Sequence, residues 1–131
     1  MVADLRSFAA AQIYFSTGTG NSYRVATWMG EEAAARGAEA SVVQIEEAEP
    51  ARQLQRPEGR VLLGIVCPTH GFTAPWHMIK FAYKLPRARA TAVAAAFCCA
   101  TRGGFKLGSF YGPGLSGSAT YLLAFILWLK G

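Results

Sequence analysis

Residues 10–36 constrain the chain most. An apolar run, Ala10-Ala11-Gln12-Ile13-Tyr14-Phe15, ends at the hydroxyl- and glycine-rich stretch Ser16-Thr17-Gly18-Thr19-Gly20-Asn21-Ser22, and a segment with helical periodicity follows at once. Strand, glycine loop, helix is the layout of a phosphate-binding turn, because the helix start aims free N–H groups and a partial positive charge at the loop. The loop carries hydroxyls at Ser16, Thr17, Thr19 and Ser22 and an amide at Asn21, but no Lys or Arg. It lacks the G-K-S/T of a P-loop. Tyr23 stands where a dinucleotide fingerprint has its third glycine, so both of those nucleotide classes are disfavoured. The competing reading is a structural turn in front of a capped helix.

The rest of the chain repeats the alternation. Ser22 to Arg36 reads as a helix, with Val25, Ala26, Met29 and Ala33 on one face and Gly37 behind its end. Glu39 to Ile45 reads as a strand. Residues 46–59 form a polar crossover containing Pro50, Pro57 and one irregular helical turn. Arg60 to Cys67 is apolar almost throughout, as strands covered on both faces are, and Pro68 stops it. Pro75 opens a helix to Lys84. Thr91 to Cys98 is a fourth strand, 105–117 a glycine-punctuated loop, and Ser118 to Lys130 a closing helix. The order βαββαβα predicts an α/β fold with a parallel sheet under helices. Ligands of such sheets sit outside the carboxyl ends of the strands. Three glycine-bearing loops fall there: 16–22, 68–74 and 99–105.

The 131 residues fit one domain, 1–131, and 52% apolar residues supply a core. The net charge is +5, with basic residues scattered and densest from Lys80 to Arg89. The stretch matches no nucleic-acid-binding motif, so a solvated surface is expected and nucleic acid is not. Cys67, Cys98 and Cys99 make an odd count without C-x-x-C, which argues against a disulfide framework, a zinc site and an iron–sulfur cluster held by this chain. Reduced thiols and a cytoplasmic location are the expectation. The N-terminus lacks the pattern of a signal peptide. The apolar stretch 119–129 is too short for a transmembrane span, which needs about 20 residues, and a buried helix is expected instead.

Tyr14-Phe15-Ser16-Thr17-Gly18-Thr19-Gly20-Asn21-Ser22 resembles the FMN phosphate loop of flavodoxins, above all the flavodoxin halves of flavodoxin–ferredoxin fusion proteins. Pro68-Thr69-His70-Gly71-Phe72 resembles that group's second flavin loop, and Thr101-Arg102-Gly103-Gly104, with Phe105 behind it, its third. The resemblance implies a flavodoxin-like three-layer sandwich with strand order 2-1-3-4-5. It implies FMN as cofactor, its phosphate on residues 16–22 and its ring between residues 68–73 and 99–105. It also implies electron transfer with a redox protein partner, ferredoxin-like or an iron–sulfur module. Flavodoxins close with a fifth strand and a last helix. This sequence stops after its fourth helix, so either a C-terminally truncated domain or completion by a second chain is expected, with the apolar 121–129 stretch wanting cover on more than one side. Flavodoxins are typically acidic, and the basic charge here favours an acidic partner. An FMN-dependent reductase of a small substrate, a flavin-free interaction module and a membrane-edge protein are the alternatives.

Single residues keep two readings each. By the resemblance His70 is a proton donor near the flavin N5 or a hydrogen-bonding partner of the ring, against a loop histidine that fixes its own turn, and Gly71 would let the backbone approach the ring. Phe72, Trp76 and Phe105 are candidates to stack on it, or core. Arg102 is a charge for the flavin, or solvated. The cysteines read as small apolar residues at strand ends, and His77 as surface or satisfied core.

Overall fold

The computed structural model describes residues 8–56, 59–103, 105–112 and 117–131. Its elements are β1 (Ala10–Phe15), α1 (Asn21–Ala35), β2 (Glu39–Gln44), α2 (Pro50–Gln53), β3 (Val61–Pro68), α3 (Trp76–Lys84), β4 (Val93–Thr101), β5 (Phe105–Leu107), β6 (Phe110–Gly112) and α4 (Ala119–Leu129). β1 to β4 form one parallel sheet in the order β2-β1-β3-β4. This is the expected α/β sandwich and the expected strand order as far as its fourth member. No fifth strand joins this sheet among the described residues.

Alternation along the strands sorts side chains into two layers. Tyr14, Leu63, Ile65 and Cys67 face α3 and α4 and pack with Met78, Ala82, Ala119 and Leu123, closed below by Leu54 and Leu85. Ile13, Phe15 and Val66 face α1 and pack on Ala26. Tyr14 is wholly buried, and its hydroxyl donates to Gln53 Oε1 at 2.8 Å. The helical turn expected in the crossover is α2, and it supplies that acceptor. In β4 the pairing passes from Val61–Val93 to Leu62–Ala95, leaving Ala94 as a bulge. The bulge resets the alternation. Cys98 and Ala100 join the α3/α4 layer, while Phe97 and Cys99 join the α1 layer.

Three expectations need correction. β4 starts at Val93 and runs to Thr101, so Cys99, Ala100 and Thr101 are strand rather than loop. β-branched Thr101 extends the ladder opposite Pro68. A proline is tolerated there because it is the strand's last residue. Residues 105–117 are not a featureless loop: β5 and β6 pair antiparallel, Leu107 opposite Phe110, around the turn Gly108-Ser109. Glycine punctuation masked a short hairpin with apolar alternation. α4 is not wholly buried. Ala119 and Leu123 are its buried residues, while Tyr121, Phe125, Trp128 and Leu129 stand more than half exposed. No helix of the described residues is long and apolar enough to cross a membrane.

Candidate functional site

The carboxyl ends of β1, β3 and β4 lie side by side, so the segments following them converge on one edge of the sheet. At β1, Ser16 is buried and its N–H donates to Val66 O at 3.0 Å, carrying the strand pairing one residue further. Thr17 Oγ1 accepts the N–H of Gly20 at 2.8 Å. Gly20 sits at φ 91°, a left-handed conformation that glycine enters without steric cost, and it hands the chain into α1. α1 starts with no side-chain cap. Among the described residues, the N–H groups of Thr17, Gly18, Thr19, Asn21, Ser22 and Tyr23 find no backbone acceptor. The start of α1 is thus uncapped among the described residues. A helix start leaves its first N–H groups open, and here no described residue closes them.

At β3, His70 and Thr73 exchange backbone hydrogen bonds, 2.8 Å from His70 N–H to Thr73 O and 3.0 Å in return. Between them Gly71 has φ 54° and Phe72 φ 64°, a two-residue turn with both centres left-handed. For Phe72 this conformation costs about 1 kcal/mol. The turn leaves the Phe72 ring 61% exposed, and Trp76, at the start of α3, is exposed as well. Ser118, just before α4, pins the turn: its N–H donates to Phe72 O at 2.7 Å and its hydroxyl to Thr73 Oγ1 at 3.2 Å. Phe72→Gly should therefore leave stability within about 1 kcal/mol of the parent, or raise it, because relief of strain offsets the added chain freedom. Urea denaturation checks this, and a larger loss would make the ring a packing element.

At β4, Thr101 joins the three segments. Its carbonyl accepts the Thr69 N–H at 2.9 Å, and its hydroxyl is hydrogen-bonded to Ser22 Oγ at 2.9 Å. Arg102 and Gly103 are exposed beyond it. Gly104 and the side chain of Phe105 lie outside the described residues. Thr69 Oγ1 is buried with no partner among the described residues. A Cβ added at Gly18, Gly20, Gly71 or Gly103 would meet no atom within 4 Å, so these glycines border open space at the sheet edge. Pro68 and His70 carry the second segment to its turn, His70 exposed.

Sequence reasoning missed His77. It is exposed in the first turn of α3, and its Nε2 is hydrogen-bonded to Ser16 Oγ at 2.5 Å. The clue was topological. β1 and β3 are neighbours, so the helix after β3 begins beside the loop after β1, and Pro75 fixes where that helix begins.

The thiols are not reactive centres. Burial, with the neighbouring Cys98 and Cys99 adding to it, pushes the Cys67 thiol up to about 12. Burial, with Cys99 adding, pushes Cys98 up to about 11, and burial raises Cys99 as well. The folded protein holds these protons where the unfolded chain releases them. Stability is therefore unaffected below the ordinary thiol value of about 8.5 and falls as pH rises from there towards about 12. At about pH 10 Cys67 alone should cost ~2 kcal/mol relative to pH 7. Urea midpoints at the two pH values measure this, and replacing the three cysteines by alanine should flatten the difference. No group of metal-ligating side chains occurs among the described residues.

Two apolar grooves lie elsewhere. One of about 410 Å³ runs along α1, between Trp28, Met29, Leu62 and Phe97. One of about 290 Å³ lies between the end of α4 and β4. Both are apolar and lack the open donors of the loop edge, so the candidate site is placed at the strand ends on its chemistry rather than on its depth.

A sequence model of the flavodoxin family matches residues 13–122. Among solved structures, a flavodoxin from the domain Archaea superposes with a TM-score of 0.69 at 16% identity, covering 93% of this chain and 75% of that one. At that identity the likeness speaks for the fold. A search of curated proteins finds no match. The family match takes in the end of β1, the uncapped start of α1, β2, β3, β4 and all three convergent segments: the chain belongs to the flavodoxin family.

Proposed function

We propose that the protein binds FMN and transfers electrons. One observation carries the reading: a row of N–H groups without backbone acceptors at an uncapped helix start, hydrogen-bonded through Ser22 and Thr101 to the neighbouring segment. Neutral donors and a helix start can hold a phosphate dianion without a lysine or arginine. The open glycine positions and the unpartnered Thr69 hydroxyl fit a planar ring and its polar edge beside that phosphate. In this reading Ser16 to Ser22 hold the phosphate. Pro68 to Phe72 and Thr101 to Phe105 flank the ring, with Phe72 against it and Arg102 near its anionic parts. Bound FMN supplies the redox chemistry, and the protein's part is to bind it, orient it and place backbone dipoles around it. No nucleophile or acid–base pair is required.

The net charge of +5 favours an acidic redox partner, a ferredoxin-like protein or an iron–sulfur module, met in the cytoplasm. Titration with FMN against riboflavin, followed by flavin fluorescence, tests the proposal. FMN should bind at least tenfold more tightly, and equal affinity would sink it. Protein that stays colourless with either flavin would point instead to an interaction module, which the exposed aromatic residues of α4 favour.

A further inference from the structure

Ser16 is the one hydroxyl of the phosphate loop that an imidazole reaches. It is 4% exposed, and Ser16 Oγ has His77 Nε2 as its hydrogen-bond partner among the described residues. A serine hydroxyl has a single proton to donate. If that proton goes to an unprotonated Nε2, Oγ can only turn lone pairs towards an anion in the loop. If Nε2 carries the proton, it donates to Oγ, and the hydroxyl proton is free for the anion. An anion therefore selects the Nε2–H form of His77. The loop 16–22 has no cationic side chain of its own, so this is the one contact seen here that reaches it from another element through an ionisable ring.

We propose that His77 is a positioning residue for a phosphate monoester: its Nε2–H orients the Ser16 hydroxyl towards the phosphate and so sets the preference for FMN over riboflavin. The proposal rests on the FMN reading above. It concerns a residue on α3 that is not part of the three flavin-loop segments but touches the first of them through Ser16. No covalent bond to the ligand forms or breaks, and no group passes to it. One hydrogen bond reverses its direction, and the imidazole proton moves to, or stays on, Nε2.

The test compares His77→Ala and His77→Gln with the parent, each titrated with FMN and with riboflavin. His77→Ala should lower the ratio of FMN to riboflavin affinity about tenfold, the scale of one hydrogen bond to a charged group. Riboflavin affinity should not change. His77→Gln, which keeps an N–H donor, should restore most of the ratio. Nitrogen-15 spectra of the imidazoles, with His77 assigned by its absence from the His77→Ala variant, should show Nε2 protonated when FMN or inorganic phosphate is added. An unchanged ratio in His77→Ala overturns the proposal, as does an equal loss for both flavins, no rescue by glutamine, or an Nε2 that stays unprotonated. A parent protein that does not distinguish FMN from riboflavin is a different failure, since it removes the FMN reading itself.

Discussion

Gly18→Asp should abolish useful FMN binding while leaving the fold intact. Gly18 is exposed, and a Cβ there would meet no atom within 4 Å, so the side chain is accommodated without displacement. Its backbone is not left-handed, so aspartate adds no strain of the kind found at Gly20. What changes is the charge. A carboxylate about 5 Å from a phosphate dianion, at an effective dielectric constant of about 20, opposes binding by several kcal/mol before screening, and ~2–3 kcal/mol after it. Affinity for FMN should fall about a hundredfold. Riboflavin, which has no phosphate, should bind as to the parent. The thermal midpoint should hold within about 2 °C, as for exposed substitutions generally. Flavin fluorescence and circular dichroism give both readings. Full FMN affinity in this variant would place the phosphate somewhere other than residues 16–22.

Leu123→Ala should produce the largest loss of stability. α4 is apolar along most of its length, yet it enters the core through Ala119 and Leu123, both fully buried, with Ile126 and Leu127 half-buried beside them. Removing the leucine side chain leaves a cavity facing Met78 and the β3 layer, and such truncations cost about 2–5 kcal/mol. That is a large part of the ~5–15 kcal/mol that holds a domain together, and the midpoint should drop by about 10 °C. Tyr121→Ser, on the 78% exposed side of the same helix, should change stability by less than about 0.5 kcal/mol. The loss would not stay local. Ser118 precedes α4 and ties down the Phe72 turn, so a loosened helix should also weaken flavin binding. If Leu123→Ala melted like the parent, α4 would not be held by its buried face.

Much of this arrangement could be read from the residues. The apolar runs at 10–15 and 61–67, each followed by a glycine-bearing loop and a helix, have no good solution except a parallel sheet, while its order as far as β4 came from the resemblance to flavodoxins. The first loop was legible because its chemistry is local: glycines, hydroxyls and a helix start all lie within seven residues. The failures share the opposite property. The length of β4 depends on Thr101 finding Thr69 across the sheet, which no alanine-rich window reveals. The hairpin of β5 and β6 depends on three residues a side and was hidden by the glycines that permit its turn. His77 was invisible because its partner is 61 residues away. Phe72 at positive φ runs against propensity altogether. A single sequence favours a glycine or asparagine there, and local preference gives way at sites under other demands.

Thr101 has a further consequence. Through one carbonyl and one hydroxyl it fastens the segment after β4 to those after β3 and β1. A ligand with an anionic tail and a flat head would thus meet one stiff frame instead of three independent arms. Seating the tail would leave little freedom in the frame for the head to remove. The ordering cost that usually weakens binding to loops is already met when the chain folds. Cutting the Ser22–Thr101 link, by contrast, would make the two ends of the ligand bind as strangers.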